Sequence, residues 1–514
     1  MEGGQEIYMT DKPLPTIIQG GMGIAVSGWR LARAVSTTGQ MGVVSGTALD
    51  TVLARHLQCG DEGGHVRRAL GHFPIPGVAE RILERYFVEG GKPEGKAYRA
   101  SPIPSLKPGR HLQDLLVASN FVEVFLAREG HDNPVGVNFL EKIQLPTLPS
   151  IYGAMLAGVS WVLMGAGIPR TIPGVLDRLA KGEPTELQVN VAGTGRRDDV
   201  VTQFDPQDYA YGEKLELPRP KFAAIISSAT LATMLKRKST GEVNGFIVEG
   251  FSAGGHNAPP RGKMKLTENG EPIYGERDIP DIEAIAALGL PFWMAGSCAR
   301  PEVVADVVQR GATGVQVGTA FAYCEESALD PKLKRQVLAA SRAGTASVFT
   351  DPVASPAGFP FKVVQIEDSL SEESNYQARK RICDLGYLRH AYEKEDGSIG
   401  WRCPAEPEKD YLRKGGNIED TEGRKCICNA LMANISMGQL GRNGQPEGAL
   451  VTSGDDVADV ARLLPDGADS YTAVDVVEYL LADMAKEKKS PQLPPTASEV
   501  VEQPAESVSS GGQQ

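Results

Sequence analysis

Short apolar runs recur along the first two thirds of the chain, and each is followed by a glycine-rich or polar corner and then by a helix-length stretch of mixed polarity. Such alternation predicts βα units. The runs are nearly continuous in apolar residues, which is the pattern of parallel strands buried on both faces. Eight runs have this character: Thr16–Met22, Met41–Ser45, Pro134–Leu140, Trp161–Gly165, Lys221–Ser228, Gly245–Gly250, Pro291–Ser297 and Gly314–Phe321. Eight such strands with helices between them predict an α/β fold of the (β/α)8 type, the TIM barrel.

Three stretches are too long for the minimal repeat and are predicted to be large loop insertions, which barrels accept. They are residues 50–133, 183–220 and 257–281. The third follows the sixth strand on the side where barrel active sites lie, so we expect it to form a lid. The barrel domain is predicted to span residues 1–350, followed by an appended C-terminal region over residues 351–484. The final segment, 485–514, is rich in Ser, Pro, Gln and Glu and is predicted to be a disordered tail.

One stretch, between Lys142 and Arg170, carries no charged residue and would span a bilayer if it were a single helix. Prolines and glycines interrupt it, so the pattern predicts instead a helix over residues 148–158 and a strand at Trp161–Met164. No membrane span is therefore expected. The first fifteen residues lack the basic segment and apolar segment of a secretory signal, which favours a cytoplasmic protein.

Composition narrows the class of ligand. Hydrophobic residues make up 41% and charged residues 23%, as in ordinary globular proteins. The chain has 53 Lys and Arg against 65 Asp and Glu, a net charge of −12, which argues against nucleic acid or an anionic membrane as a partner. A small molecule is the expected ligand. The seven cysteines are too few and too irregularly spaced for a disulfide scaffold, which favours a reducing compartment.

Four of the cysteines fall in the C-terminal region, at Cys383, Cys403, Cys426 and Cys428. A C-x-C pair without a C-x-x-C partner matches the spacing of zinc sites poorly. Reduced cysteines commonly act as small buried hydrophobic residues. The spacing therefore predicts no metal site.

Four glycine-rich corners lie at the predicted carboxyl ends of strands, where barrels bind their ligands. They are Gly20–Gly23, Gly250–His256, Ala295–Ser297 and Val317–Thr319. Glycine lets the backbone approach a flat ring or a phosphate, and successive N–H groups can bind an anion. The last two corners follow strands seven and eight, the usual phosphate position in this architecture. A phosphate-bearing cofactor is predicted, while for any single corner the alternative that its glycines only serve the turn stays open.

His256 is the one histidine in these corners, and it follows two glycines. An imidazole has an ordinary pKa of about 6.5 and can accept or donate a proton near neutral pH. His256 is therefore the predicted catalytic acid/base. The alternative is a structural histidine whose nitrogens are satisfied by hydrogen bonds.

Taken together, these motifs resemble the nitronate monooxygenase family, formerly called 2-nitropropane dioxygenases. The resemblance covers about residues 14–365, interrupted by the insertions. It rests on TIIQGGMG at 16–23, VGVN at 135–138, GAGIP at 165–169, KFAAIISS at 221–228, VEGFSAGGH at 248–256 and FWMAGSCARPEVVADVVQRGATGVQVGTAFAYCEES at 292–327. It implies a TIM barrel, FMN as cofactor and oxidation of a nitronate or a related small acid with O2. Relatives of the family include FMN-dependent enoyl-acyl carrier protein reductases.

The resemblance also implies roles for individual residues. Met22 and Asn138 would lie against or near the flavin ring, with Ser227 or Ser228 at its other edge. His256 would remove the α-proton of a neutral nitroalkane. The remaining residues implied to contact the cofactor, at the ring or at the ribityl phosphate, are Gly21, Gly23, Glu249, Gly254, Gly255, Gly296, Ser297, Gly318 and Thr319.

Departures from the family pattern leave the substrate open. Many members carry Gln at the end of strand six and an acidic residue three positions later, where this chain has Glu249 and Ser252. Glu249 is closer to the enoyl reductases, and the long insertion after His256 would reshape the substrate side of the pocket. The segment SPAGFPFK at 355–362 lies where members have a Gly-Arg-Pro element near the barrel mouth.

The alternative function is therefore an NAD(P)H-dependent enoyl-thioester reductase, with NAD(P)H as co-substrate and acyl carrier protein as partner. A third hypothesis is a non-catalytic flavin-binding or scaffold protein. A homodimer is compatible with each of these three hypotheses.

Overall fold

The eight apolar runs form a closed barrel of parallel strands. The structure is a computed structural model that describes residues 13–193, 195–441 and 444–489. Its strands are β1 Ile17–Gln19, β2 Met41–Ser45, β3 Val135–Leu140, β4 Trp161–Gly165, β5 Thr185–Ala192, β6 Gly195–Phe204, β7 Lys221–Ile226, β8 Gly245–Glu249, β9 Phe292–Ala295, β10 Gly314–Val317, β11 Val348–Asp351, β12 Phe361–Val364, β13 His390–Glu393 and β14 Ile399–Arg402. The barrel consists of β1–β4 and β7–β10, each paired in parallel with the next and β10 with β1. The predicted fold class is confirmed.

Helices follow the barrel strands, and several have one buried face, as their sequence period indicates. In α11, for example, Pro301, Val304 and Val307 are buried while Glu302 is exposed. The helices are α1 Trp29–Thr37, α2 Leu49–Gln58, α3 His65–Leu70, α4 Val78–Tyr86, α5 Arg110–Arg128, α6 Thr147–Leu156, α7 Ile172–Ala180, α8 Pro206–Tyr209, α9 Ala229–Lys238, α10 Ile282–Ala286, α11 Pro301–Gln309, α12 Thr319–Ala322, α13 Pro331–Arg342, α14 Glu373–Ala378, α15 Glu408–Arg413, α16 Ile427–Ala433 and α17 Ala473–Lys489. Short 3₁₀ segments lie at Glu62–Gly64, Glu276–Asp278, Ile418–Thr421 and Asp455–Leu463.

The barrel interior is a packed core and not a pore. Trp161 and Trp293 meet edge to face inside it, with ring centroids 5.7 Å apart. The indole N–H of Trp293 donates to the carbonyl of Pro15 at 2.8 Å, so this buried donor is satisfied. Several observed strands end earlier than predicted: β10 ends at Val317, and α12 begins at Thr319. The glycine corners therefore lie in loops at the carboxyl rim of the barrel.

The long insertions have secondary structure of their own. Residues 50–133 include most of α2 and all of α3, α4 and α5, and residues 183–220 include β5 and β6. A four-stranded sheet, in the order β14-β13-β5-β6, joins this second insertion to strands of the C-terminal region. Within it β13 runs parallel to β5. The C-terminal region is thus hydrogen-bonded to a barrel insertion.

Buried polar contacts attach the C-terminal region to α2 as well. The Arg55 guanidinium donates to the carbonyl of Met437 at 2.6 Å and to Asp384 at 3.2 Å. The Tyr387 hydroxyl donates to Asp50, whose side chain is also buried. A buried charged group that loses its hydrogen-bond partner costs free energy. These contacts therefore favour one arrangement of the C-terminal region against α2.

The uncharged stretch after Lys142 forms α6 and β4, as predicted. None of the described helices combines the length and the apolar character needed to cross a membrane. At the other end of the chain, α17 continues to Lys489, five residues past the boundary predicted for the folded part. Residues 490–514, the rest of the predicted tail, lie outside the described residues.

Close contact between α5 and α6 generates a stability prediction. A Cβ added at Gly153 of α6 would overlap the main-chain carbonyl of Val117 in α5. Alanine is a better helix former than glycine by about 1 kcal/mol, whereas overpacking costs about 1–3 kcal/mol. Because a backbone carbonyl cannot rotate away, we expect overpacking to dominate and Gly153→Ala to lower the Tm measured by thermal unfolding.

Gly275→Ala is the matched control, because a Cβ at Gly275 meets no atom within 4 Å. Its Tm should stay close to that of the wild type. A Gly153→Ala variant as stable as this control would contradict the close approach of the two helices.

Candidate active site

The loop after β1 is held rigidly at the barrel rim by buried side chains. The Gln19 amide N–H donates to Ser27 Oγ at 3.0 Å, and Ser27 Oγ accepts from the Met22 N–H at 3.0 Å. Ser45 Oγ donates to the carbonyl of Gly23 at 2.6 Å. Gly21 has no room for a side chain, because a Cβ there would lie 2.5 Å from the Cβ of Asn138. Main-chain atoms of this loop therefore occupy the rim at a place where a residue other than glycine would place its side chain.

Two connected pockets lie at this rim. We call one the glycine pocket, lined by Gly20–Gly23 and by the corners after β8, β9 and β10. The other, the histidine pocket, is lined by residues that include Asn138, Ile225 and His256. The residues that line both are Gly21, Gly23, Glu249, Gly254, Gly255, Gln316 and Thr452. The two pockets thus form one continuous groove.

The structure brings together most of the residues singled out in the sequence. Asn138 and His256 line the histidine pocket. The glycine pocket is lined by Gly21, Met22, Gly23, Glu249, Gly254, Gly255, Gly296, Ser297, Gly318 and Thr319. Ser227 and Ser228 line neither pocket. Ser228 instead caps α9, where its hydroxyl accepts from the Leu231 N–H, so the two serines are not brought to the groove.

A segment of the C-terminal region, residues 452–456, closes one side of the groove, and we call it the strap. Its Thr452, Ser453, Gly454 and Asp456 line the glycine pocket. It is tied to the corners by hydrogen bonds from Gly255 N–H to Thr452 Oγ1 (2.9 Å), from Gly454 N–H to Thr319 Oγ1 (2.9 Å) and from Asp455 N–H to the Ser252 carbonyl (3.0 Å). The buried Lys362 ammonium lies 2.6 Å from Asp455. Sequence reasoning missed the strap, although its Thr-Ser-Gly run resembles the other corners.

His256 is held by a second segment of the C-terminal region. Its Nε2 lies 2.6 Å from the hydroxyl oxygen of the fully buried Ser355, which also accepts from the Ala357 N–H. The main chain of His256 pairs with that of Phe361, whose ring meets the imidazole edge to face at 4.9 Å. Burial lowers the pKa of His256 to about 4. The imidazole is therefore neutral near pH 7 and can accept a proton.

Glu249 is the second perturbed group in the groove. It ends β8 and lines both pockets. Burial raises its pKa to about 8. A carboxyl group with that pKa is mostly protonated at pH 7, so it can donate a hydrogen bond there. Burial thus leaves both Glu249 and His256 uncharged at neutral pH.

The closed barrel and its glycine-lined groove define the class of the protein: a (β/α)8 barrel with a groove at the carboxyl rim, formed by loops from several strands, which is where barrels of this type bind their ligands. Residues 188–357 match the family model described as nitronate monooxygenase. This segment, about a third of the chain, is similar to the nitronate monooxygenase family, and the resemblance predicted from the motifs is confirmed. That family consists of flavin-dependent oxidoreductases.

Two curated relatives match parts of the chain. A (3aS,4S,5R,7aS)-5-hydroxy-7a-methyl-1-oxo-octahydro-1H-indene-4-carboxyl-CoA dehydrogenase of Mycobacterium tuberculosis is 28% identical over 245 residues, 45% of this chain and 64% of the relative. A probable nitronate monooxygenase of Bacillus subtilis is 35% identical over 99 residues, 19% of this chain and 27% of the relative. Both matches therefore span less than two thirds of the relatives' lengths. Among solved structures, FabK from Thermotoga maritima is similar at 15% identity with a TM-score of 0.46, over 92% of this chain and 94% of that one.

The residues of the groove fit a flavin. Gln316 lines both pockets, and among the described residues its buried Oε1 has no hydrogen-bond partner. Such an acceptor suits a ring N–H of an isoalloxazine. The described residues that line the glycine pocket include hydroxyls and glycine backbone but no Lys or Arg. A phosphate there would depend on main-chain N–H groups and hydroxyls.

The raised pKa of Glu249 predicts a specific pH dependence of stability. Its folded pKa of about 8 exceeds the ordinary 4.5, so the folded state binds more protons than the unfolded state between these values. Stability contributed by this group is thus complete below pH 4.5 and is lost as the pH rises toward 8, by at most about 1.4 kcal/mol per pH unit. We expect Glu249→Gln, which stays neutral, to gain stability relative to the wild type over that window in urea unfolding at matched flavin content.

Glu268→Gln is the control, because Glu268 is an exposed carboxylate outside the groove. Its difference from the wild type should change little between pH 5 and 8. A flat difference for Glu249→Gln would show that folding does not raise the pKa of Glu249.

Proposed function

We propose that this protein is an FMN-dependent oxidoreductase that oxidises a nitronate, or the nitroalkane from which the nitronate forms, with O2. One observation carries the proposal: the neutral imidazole of His256 lines a pocket that shares Gly21, Gly254 and Gly255 with the glycine pocket. A proton acceptor and a backbone-lined cofactor groove therefore open onto the same space. The match of residues 188–357 to the nitronate monooxygenase family model supports it.

The groove offers distinct places for the parts of the cofactor. The ribityl phosphate would be held by the corners after β8, β9 and β10 together with the strap, through Gly254, Gly296, Ser297, Thr319 and Ser453. The ring would be held between the loop after β1, Asn138 and Gln316. When bound, FMN supplies the electron acceptor for the oxidation.

The chain's own residues perform the proton transfer. Ser355 Oγ can accept from Nε2–H of His256, which leaves the lone pair on Nδ1 free to take a proton. When His256 removes the α-proton of a neutral nitroalkane, the electron pair of the C–H bond stays on the substrate as the nitronate. The protonated Glu249 can donate a hydrogen bond in the same groove. Ser355 is a positioning residue, because it acts through His256.

The role of His256 as proton acceptor predicts that its removal slows oxidation of a neutral nitroalkane much more than oxidation of a pre-formed nitronate. We expect His256→Ala to lower kcat/KM for a neutral nitroalkane about 10²–10⁴-fold, the usual contribution of a general base. Turnover of a pre-formed nitronate such as propionate 3-nitronate should fall far less, because it has no α-proton to lose before oxidation. Oxygen uptake with each substrate form measures both effects.

His72→Ala, at an exposed histidine that lines neither pocket, is the control and should leave both rates unchanged. Equal losses on both substrate forms in His256→Ala would contradict the role of base. If the wild type consumes no oxygen with any nitronate but is reduced anaerobically by NAD(P)H and reoxidised by a crotonyl thioester, the proposed reaction is replaced by enoyl-thioester reduction.

The contact between the corner after β8 and the strap predicts the cofactor dependence. A Cβ at Gly254 would lie 2.7 Å from the main-chain nitrogen of Gly454, so Gly254→Ala should push the strap away from the groove. We expect the purified variant to hold FMN at least about tenfold more weakly, equivalent to about 1.4 kcal/mol, as measured by fluorescence titration of the flavin-free protein.

Gly250→Ala, four residues earlier, is the matched control, since its added Cβ meets only ordinary contacts beyond 3.5 Å. It should bind FMN like the wild type. Unchanged FMN affinity in Gly254→Ala would show that the strap does not contribute to FMN binding.

A further inference from the structure

A further cavity, with about 180 Å³ of free space, lies beside the groove, and we call it the basic pocket. Its walls come mainly from three parts of the chain: residues 142–146 after β3, strand β5 of the second insertion, and residues 386–391, which lead into β13. The Gln144 side-chain oxygen accepts from the Asn190 main-chain N–H at 2.9 Å, and β13 pairs with β5. The pocket therefore forms where the C-terminal region docks against the insertion.

The charged residues that line the basic pocket are cationic. Lys142 and Arg389 line it, and its described lining residues include no Asp or Glu. Lys142 is exposed, and among the described residues its ammonium faces the Phe359 ring at 5.7 Å and pairs with no carboxylate. Its charge is therefore free to meet a ligand.

Neutral acceptors hold the Arg389 guanidinium in place. Its Nε donates to the carbonyl of Gly386 at 3.0 Å, and one terminal nitrogen donates to the carbonyl of Pro104 at 2.6 Å. The carboxylate of Glu406 acts on Arg389 electrostatically, but it lies 2.6 Å from the Lys414 ammonium. The guanidinium is thus oriented without being neutralised by an ion pair of its own.

The titration of His390, which also lines the basic pocket, reflects this positive potential. Partial loss of water around the imidazole, followed by the charges of Lys142, Arg424 and Arg402, lowers the pKa of His390, although a hydrogen bond to the Pro356 main chain opposes the shift. The chain as a whole has a net charge of −12, so the cations here form a local exception. An anion is the class of ligand that such a local excess of positive charge attracts.

The basic pocket adjoins the histidine pocket. Three buried side chains line both spaces: Ile143, Tyr387 and Leu388. The Phe359 ring lies 5.7 Å from the Lys142 ammonium and 6.3 Å from the His256 imidazole. Cation and imidazole are therefore separated by about the width of one aromatic side chain, with apolar surface beside it.

We propose that the basic pocket binds the terminal anion, a carboxylate or a phosphate, of an elongated substrate whose other end reacts beside His256. Lys142 and Arg389 would pair with the anion, while Ile143 and Leu388 would pack against the apolar middle of the molecule. The place of the reacting end rests on the proposed function, whereas the anion site does not. Because its walls come largely from the insertion and the C-terminal region, the pocket gives this chain a preference that a minimal barrel would lack.

Calorimetric titration of the full-length flavin-loaded protein tests the anion site without turnover. Hexanoate, hexyl phosphate and 1-hexanol share one alkyl chain and differ in the end group. We expect at least one of the two anions to bind at least about tenfold more tightly than the alcohol, as hydrogen bonds to charged groups allow. The anion that binds more tightly identifies the end group. Lys142→Gln should weaken its binding about three- to fivefold, the range of an exposed ion pair, and leave that of 1-hexanol unchanged.

Lys181→Gln is the matched control, because Lys181 is an exposed lysine that lines neither the basic pocket nor the groove. It should bind the anion like the wild type. Equal wild-type affinity for the alcohol and both anions, or unchanged anion affinity in Lys142→Gln, would overturn the proposal. The comparison of ligands in the wild type decides the matter even if a variant fails to fold.

Oxidation kinetics test the link to the reacting end. We expect 6-nitrohexanoate or 6-nitrohexyl phosphate to show a lower KM than 1-nitrohexane, and Lys142→Gln to raise the KM of the anionic compound with little change in kcat, because the contact is remote from the reacting carbon. Anion binding without oxidation of any nitro compound would support the anion site and remove the proposed function. Oxidation of all three compounds with equal KM values would leave the proposed function standing and overturn the elongated substrate.

Discussion

Closure of the parallel barrel is the constraint on which the rest of the structure depends. Because β1 pairs with β10 and every barrel strand runs in the same direction, the corners after β1, β8, β9 and β10 all reach one rim. Each corner follows a short buried strand, so its position is fixed by backbone hydrogen bonds and not by its own loop. Gly21 and Gly254 then let main chain approach where a Cβ would collide. The groove therefore results from the barrel topology together with glycines at the rim, which have no side chain to fill it.

The C-terminal region completes this groove. Ser355 and Phe361 hold His256, and the strap is bonded to Gly255 and Thr319. A barrel ending near residue 350 would lack these contacts, and His256 would lose the buried neighbours that keep it neutral. Assembly of the site therefore requires the docking contacts with α2 and with β5 to form as well.

Most of the barrel could be predicted from the sequence because buried parallel strands leave a local signal, a continuous apolar run before a glycine corner. Lys221–Ile226 and Phe292–Ala295 fall inside predicted runs for this reason. The strap and Ser355 left no such signal, since their roles come from tertiary contacts made across about 100 to 200 residues of chain. Gln316 was detectable in principle, as a polar residue inside the apolar run of β10.

Burial shifts the pKa values of two groups in the groove in opposite directions. In the groove, removal of water makes His256 and Glu249 neutral, so neither charge repels or attracts a substrate before proton transfer. Under the proposed function, a nitronate anion bound in this groove would lose part of its hydration, and protonated Glu249 would be a hydrogen-bond donor to its negative charge.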